Sequence, residues 1–299
     1  MSFFALFISV FIAIQFFIPQ ETVSETAVLC QHLKKNITVS GNLGTVPVIE
    51  IKDPILATNN CTEKLITSNG KVLKENDPVL LAITVFDSKT GDKLTGDNPK
   101  IVSGKLTSEI VESHVYESLL KTRVGERIAT YLPVTKNDRL AGEVSIIDVL
   151  PLRVLTNSDI KAKNFKPENT TFTKDKKTGE DLPVDVKFEN GKPSFGEQKF
   201  SPEKSAAYIL IKGEGKQISK NSSPITHYLA KDLQTGKIVD TTYETGVARK
   251  IDFKHSYEVI AQLLADEPVG SRVLLYLTGE DTDGKASIAI VVDILALEK

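Results

Sequence analysis

Val124-Gly125-Glu126-Arg127 and Val269-Gly270-Ser271-Arg272 are one short motif written twice in the chain. The offset from Gly125 to Gly270 is 145, and the same offset returns in four further segments. It relates Gly70-Lys71 to Gly215-Lys216, and Tyr131-Leu132 to Tyr276-Leu277. It relates Lys89-Thr90-Gly91-Asp92-Lys93-Leu94 to Gln234-Thr235-Gly236-Lys237-Ile238-Val239. It also relates Ile146-Ile147-Asp148-Val149-Leu150 to Val291-Val292-Asp293-Ile294-Leu295. Upstream, Val46-Pro47-Val48 resembles Leu182-Pro183-Val184 at an offset of 136, so a short insertion or deletion separates the copies before Gly70. A fixed offset across separate segments marks a tandem duplication. The copies span 46–150 and 182–299, and 151–181, rich in Lys, Asn, Thr and Asp without periodicity, reads as a linker.

Each copy is mostly strand. Val79-Leu80-Leu81-Ala82-Ile83-Thr84-Val85-Phe86 is β-rich and stops at a Gly-containing turn. Arg127-Ile128-Ala129-Thr130-Tyr131-Leu132 and the run ending at Leu150 supply two more strands, with counterparts in the second copy. One helical pattern interrupts them, carried by Ile110, Val111, Val115 and Leu119, and by Val259, Ile260, Leu263 and Leu264. Several strands and one helix make an α+β unit whose helix must bury its apolar stripe on the sheet. In the second copy, Val269, Val273, Leu275, Ile290, Val292 and Leu264 are expected in one buried cluster.

The 299 residues carry 37 Lys+Arg against 39 Asp+Glu, a net charge of −2. Such a balance argues against nucleic acid as the main partner, because neutralising phosphates needs clustered basic charge. Two Cys exclude a disulfide-dense scaffold and a Cys₄ zinc site, and four His leave little for a metal centre. No cofactor and no metal are expected. Residues 3–18 are almost continuously apolar and end at Pro19, and the first basic residue is Lys34. That run is short for a membrane span and fits the core of an export signal. The segment 1–30 is therefore expected to be a signal or an anchor, placing the rest outside the cell or on the outer face of its membrane. Cys30 is a poor lipidation site because Leu29 before it is bulky. Cys30 and Cys61 either pair in an oxidising compartment or stay as free thiols.

The order of segments resembles the FKBP family of peptidyl-prolyl cis-trans isomerases, and the doubled arrangement is similar to exported bacterial tandem-FKBP proteins. Val269-Gly270-Ser271-Arg272-Val273-Leu274-Leu275 and Ile288-Ala289-Ile290-Val291-Val292-Asp293-Ile294-Leu295 match the family's last two strands. Tyr228, eight residues before Gly236, sits where the family's pocket Tyr belongs, and Asp240 where its pocket Asp belongs. The resemblance implies two FKBP-like domains, each an antiparallel sheet curled around a short helix. It implies proline-containing polypeptides as clients, with Tyr228 and Asp240 as catalytic residues and Val239, Tyr257, Ile260 and Ile290 contacting substrate. The chain departs from the family where activity is decided. It has no Trp for the pocket floor, which falls to Val115 and Ile260. The aromatic before the Asp is replaced by Leu94 and Val239, and the closing-strand aromatic by Ser145 and Ile290. The first copy has Ile83 and Thr95 where the second has Tyr228 and Asp240.

Isomerisation makes no covalent intermediate; it lowers a barrier of about 18–20 kcal/mol for twisting a resonance-planar amide. The X-Pro bond suits it because cis and trans differ by only about 0.5–1 kcal/mol. Removing water favours the less dipolar twisted amide, and a Tyr hydroxyl can donate to the substrate carbonyl. The plain alternative makes Tyr228 a half-buried strand aromatic and Asp240 a turn residue, leaving a chaperone or peptide-binding module without catalysis. Other chemistries lack their motifs: no Gly-x-Ser-x-Gly, His-Glu-x-x-His or P-loop occurs. Asp281-Thr282-Asp283-Gly284 opens like a calcium loop, but Val292 stands where a bidentate Glu is needed.

Overall fold

A computed structural model of the chain describes residues 25–136, 139–162, 164–219, 223–251, 258–282 and 286–298. In chain order the first half holds α1 (Glu25–Asn36), β1 (Ile37–Ser40), β2 (Val48–Ile51), β3 (Cys61–Ile66), β4 (Pro78–Asp87), β5 (Lys100–Lys105), α2 (Ser113–Leu119), β6 (Arg127–Lys136) and β7 (Arg139–Leu150). After α3 (Asn157–Lys161) come β8 (Thr170–Lys174), β9 (Asp181–Glu189), β10 (Lys192–Gln198) and β11 (Ala206–Ile211). The chain continues through β12 (Ser223–Asp232), β13 (Ile238–Thr241), β14 (Arg249–Lys250), α4 (Glu258–Leu263), β15 (Arg272–Leu277) and β16 (Ile288–Glu298).

Two antiparallel sheets repeat one topology. The first is ordered β3-β6-β7-β4-β5 and the second β11-β15-β16-β12-β13, with β14 also on β12. The 145-residue offset extends to elements whose sequences no longer match: β3 maps onto β11 and β4 onto β12 end for end. Even a register shift repeats, between Lys64 and Ile66 in the first sheet and between Ile209 and Ile211 in the second. The glycine of the repeated motif has a backbone reason. Gly125 and Gly270 sit at φ of 84° and 89°, left-handed values that side chains avoid. Each N–H donates to the neighbouring closing strand, at Val149 O and Ile294 O.

One face of each sheet takes the helix. Val115 and Leu119 of α2 pack with Val79, Leu81, Ile128 and Ile147. Val259, Ile260 and Leu263 of α4 pack with Leu264, Val273, Leu275, Ile290 and Val292, and Val269 joins them, so the expected cluster forms. Ile110 and Val111 lie just before α2 and still touch its cluster. The opposite faces are covered differently. In the first unit the cover is α1, β1 and β2, with Leu29, Leu33 and Ile37 against Phe86, Tyr131 and Ile146. In the second it is a three-stranded sheet, β10-β9-β8, placing Leu182, Val184, Val186 and Phe188 against Leu274 and Val291. Covered on both faces, β15 is buried at every position.

Two boundaries move as a result. Residues 25–30 are not part of a separate leader: Leu29 and Leu33, four apart on α1, are buried in the first core. Cys30 is bonded to Cys61 with Cα atoms 5.5 Å apart, so its sulfur is not available for a lipid. The segment 151–181 is no plain linker either, because β8 pairs with β9 and Phe172 packs into the second core. The alternation Thr170, Phe172, Lys174 was too short to register as a strand in isolation. The remaining expectation for 1–24 lies outside the described residues. A further apolar cluster joins the two units, containing Leu80 and Leu150 of the first with Ile225 and Leu295 of the second. Beside it, the Ser103 hydroxyl donates to Ala248 O at 2.7 Å.

Candidate functional site

Strand alternation places Tyr228 on the helix side of the second sheet, where it packs in the cluster of Ile260 and Ile290. Its neighbour β13 pairs with β12 through Ala230 and Asp240, so Asp240 comes to the same face. The register then shifts, Lys231 pairing with Ile238, and Val239 is the extra residue of this bulge. Across the gap the Tyr228 hydroxyl donates to Asp240 Oδ2 at 2.5 Å. Asp240 Oδ1 accepts from the Thr241 N–H at 2.7 Å.

The third member is Arg249 of β14. Its Nη2 and Nη1 lie 3.2 and 3.3 Å from the two carboxylate oxygens of Asp240. Nη2 also donates to Thr241 O at 2.7 Å, and the guanidinium carbon stands 5.5 Å from the Tyr228 ring centroid. Burial, the Asp240 hydrogen bond and the Asp240 charge push the Tyr228 hydroxyl up to about 12. Burial alone would raise Asp240; the hydrogen bonds from Tyr228 and Thr241 and the Arg249 charge outweigh it and hold the carboxyl below its ordinary value. At neutral pH the cluster is therefore a neutral phenol, a carboxylate and a guanidinium.

The arrangement limits what Tyr228 can offer. A phenol has one proton, and here it points at Asp240. Donation to a substrate carbonyl, as expected from the sequence, requires that bond to open first. What the site presents without rearrangement is a fixed aromatic ring, a guanidinium beside it and an aliphatic wall including Ile260 and Ile290. Val239 is not part of that wall: the bulge leaves it 55% exposed. Tyr257 lies outside the described residues.

Arg249 escaped the sequence reading because β14 is two residues long and pairs out of step with the repeat. Thr226 pairs with Arg249, while its counterpart Leu81 pairs with Val102. The available signal was the basic pair Arg249-Lys250 closing a loop of Thr, Glu and Gly. The first unit builds none of this. Ile83 replaces the tyrosine and packs toward α2, and the Thr95 hydroxyl at the Asp240 position is buried without a hydrogen-bond partner.

No family model and no curated protein matches the chain. Among solved structures it is similar to the N-terminal domain of FKBP42 from Arabidopsis thaliana, 19% identical, over 33% of this chain and 89% of that one, with a TM-score of 0.29. It is similar to a multi-domain immunophilin from Arabidopsis thaliana, 20% identical, over 33% of this chain and 44% of that one, at 0.29. The three FKBP domains of wheat FKBP73 match 80% of this chain and 95% of theirs, at 11% identity and a TM-score of 0.27.

Proposed function

We propose that the second unit is an FKBP-type site for proline-containing segments of polypeptide clients, and that the protein assists folding outside the cytoplasm as a peptidyl-prolyl isomerase. The observation that carries the reading is the Tyr228–Asp240 hydrogen bond, formed on the helix side of the sheet beside Ile260 and Ile290. Proline stacks on the tyrosine ring, the aliphatic wall strips water from the amide, and the loss of water favours the twisted state. The first unit contributes no second site, having Ile83 and Thr95 in those places. Export is supported by the Cys30–Cys61 bridge, since disulfides persist in oxidising compartments, and by the apolar run at 3–18. No helix among the described residues is long and apolar enough to cross a membrane.

A second reading, a peptide-binding chaperone without catalysis, is favoured by the engagement of the Tyr228 proton with Asp240 and by the lack of any Trp in the chain. One experiment separates the two. The full chain is assayed for isomerisation of a proline tetrapeptide and for binding of the same peptide. Isomerisation that falls in Tyr228→Phe and Asp240→Ala with the fold intact supports the enzyme. Binding without isomerisation supports the chaperone, and neither activity refutes both.

A further inference from the structure

His227 stands next to Tyr228 on β12 and faces the other side of the sheet, away from α4. It is 2% exposed and stacks on Tyr243, with ring centroids 4.7 Å apart and planes 27° apart. Its Nε2 lies 3.1 Å from the carbonyl oxygen of Gly246. A carbonyl only accepts, so Nε2 carries the hydrogen, and Nδ1 accepts from the Thr242 hydroxyl at 2.6 Å.

Thr242 and Gly246 are the two ends of one tight turn, closed by the Gly246 N–H donating to Thr242 O at 3.0 Å. Gly246 adopts φ of 71°, which lets the chain leave the turn in a new direction. That turn joins β13, carrying Asp240, to β14, carrying Arg249. It is also stitched to the peptide of Tyr228: Thr242 N–H donates to Tyr228 O at 3.0 Å, and Tyr228 N–H donates to the Thr242 hydroxyl at 2.9 Å. In the first unit, which lacks the tyrosine and the carboxylate, Ala82 occupies the His227 position.

We infer that His227 is the positioning residue of the Tyr228–Asp240–Arg249 cluster. From the opposite face of the sheet, its ring fixes the Thr242–Gly246 turn whose two arms bring the carboxylate and the guanidinium to the tyrosine. The assignment rests on reading that cluster as the binding site. A ring that merely filled the second core would be replaceable by another aromatic. A ring that holds the turn needs both of its nitrogens.

The test uses the full chain labelled at tyrosine Cζ, with the Tyr228 signal identified by its loss in Tyr228→Phe. In Asp240→Asn this signal shifts because the phenol has lost its carboxylate. His227→Phe keeps the stack on Tyr243 and removes both nitrogens; the Tyr228 signal is expected to move to its Asp240→Asn position, while Tyr131 in the first unit stays unmoved. His227→Gln retains a donor for Gly246 and an acceptor for Thr242, and is expected to recover part of the shift. A Tyr228 signal unmoved in folded His227→Phe overturns the inference. Should that variant fail to fold, Thr242→Val removes the hydroxyl that joins the ring to the turn and also accepts from the Tyr228 N–H, and an unmoved signal there overturns the inference equally. Peptide binding and isomerisation are measured alongside. A wild-type chain inactive in both, with the shifts as expected, refutes the functional reading while leaving the placement of the cluster by His227 standing, so the two failures are distinguishable.

Discussion

Arg272 lies against Asp293 with two parallel hydrogen bonds, Nε to Oδ1 at 2.5 Å and Nη2 to Oδ2 at 2.8 Å, and neither side chain is exposed. The first unit repeats the pair 145 positions earlier as Arg127 and Asp148, at 2.5 and 2.9 Å. The third anchor of each arginine differs. Arg272 Nη1 bonds Glu168 at 2.8 Å, and the guanidinium lies 3.6 Å from the Phe188 ring centroid. Beyond Asp148, Arg127 reaches the carbonyls of Gly41 and Asn42, and Asp148 also accepts from the Gly44 N–H.

Removing the acid from either pair strands a buried cation, at a cost of about 3–5 kcal/mol. Asp148→Ala is expected to be the more damaging, because Arg272 retains Glu168 as a counter-ion in Asp293→Ala and Arg127 retains none among the described residues. Denaturant unfolding of both variants checks the order; a larger loss in Asp293→Ala would contradict it.

Leu264 is fully buried beneath α4. Leu264→Ala should cost about 2–5 kcal/mol through lost transfer energy and a residual cavity, read as a lowered melting temperature. Val239→Ala, in the exposed bulge, should leave that temperature nearly unchanged.

Cys30 and Cys61 are 31 residues apart in sequence and bind α1 to the edge strand β3. Chain entropy assigns the closure of such a loop about 3–4 kcal/mol. Reduction, or Cys30→Ser with Cys61→Ser, is expected to lower stability by that order, checked by melts with and without reductant.

Burial lowers the pKa of His227 below its ordinary 6.5, the charge of Arg249 adds to the effect, and Asp293 with the Gly246 carbonyl opposes it. Arg272 and Glu168 lie one step further away, through the Tyr243–Asp293 contact. A folded-state pKa below the unfolded one means the unfolded chain takes the proton first as pH falls. The His227 contribution is thus complete above about pH 6.5 and is lost as pH falls toward the folded value. His227→Phe should flatten the pH dependence of stability in that window, before the carboxylates titrate. An unchanged profile would speak against it.

The repeat carried most of the fold into the sequence. Its offset aligned the strands that still resemble one another, and β3 and β11, whose sequences have diverged, keep it in the structure because register along a strand pair tolerates no slip once both faces are buried. The covers on the back faces were illegible, since an amphipathic helix does that work in one unit and a small sheet in the other. Tyr228 and Asp240 could be paired because the family resemblance places both at one pocket. Arg249 and His227 could not, because a bulge, a two-residue strand and a turn bring them to the site, and none of these leaves a periodic trace.

The cluster between the units has one property with a reach beyond stability. Leu80 and Ile225 are equivalent positions, as are Leu150 and Leu295. At these two positions each unit offers the other an equivalent side chain, as the partners of a symmetric homodimer do. Here both partners belong to one polypeptide, so their association is unimolecular, with an effective concentration of about millimolar order for a short tether. Dilution does not part them, and a second molecule approaching in solution finds that patch already taken.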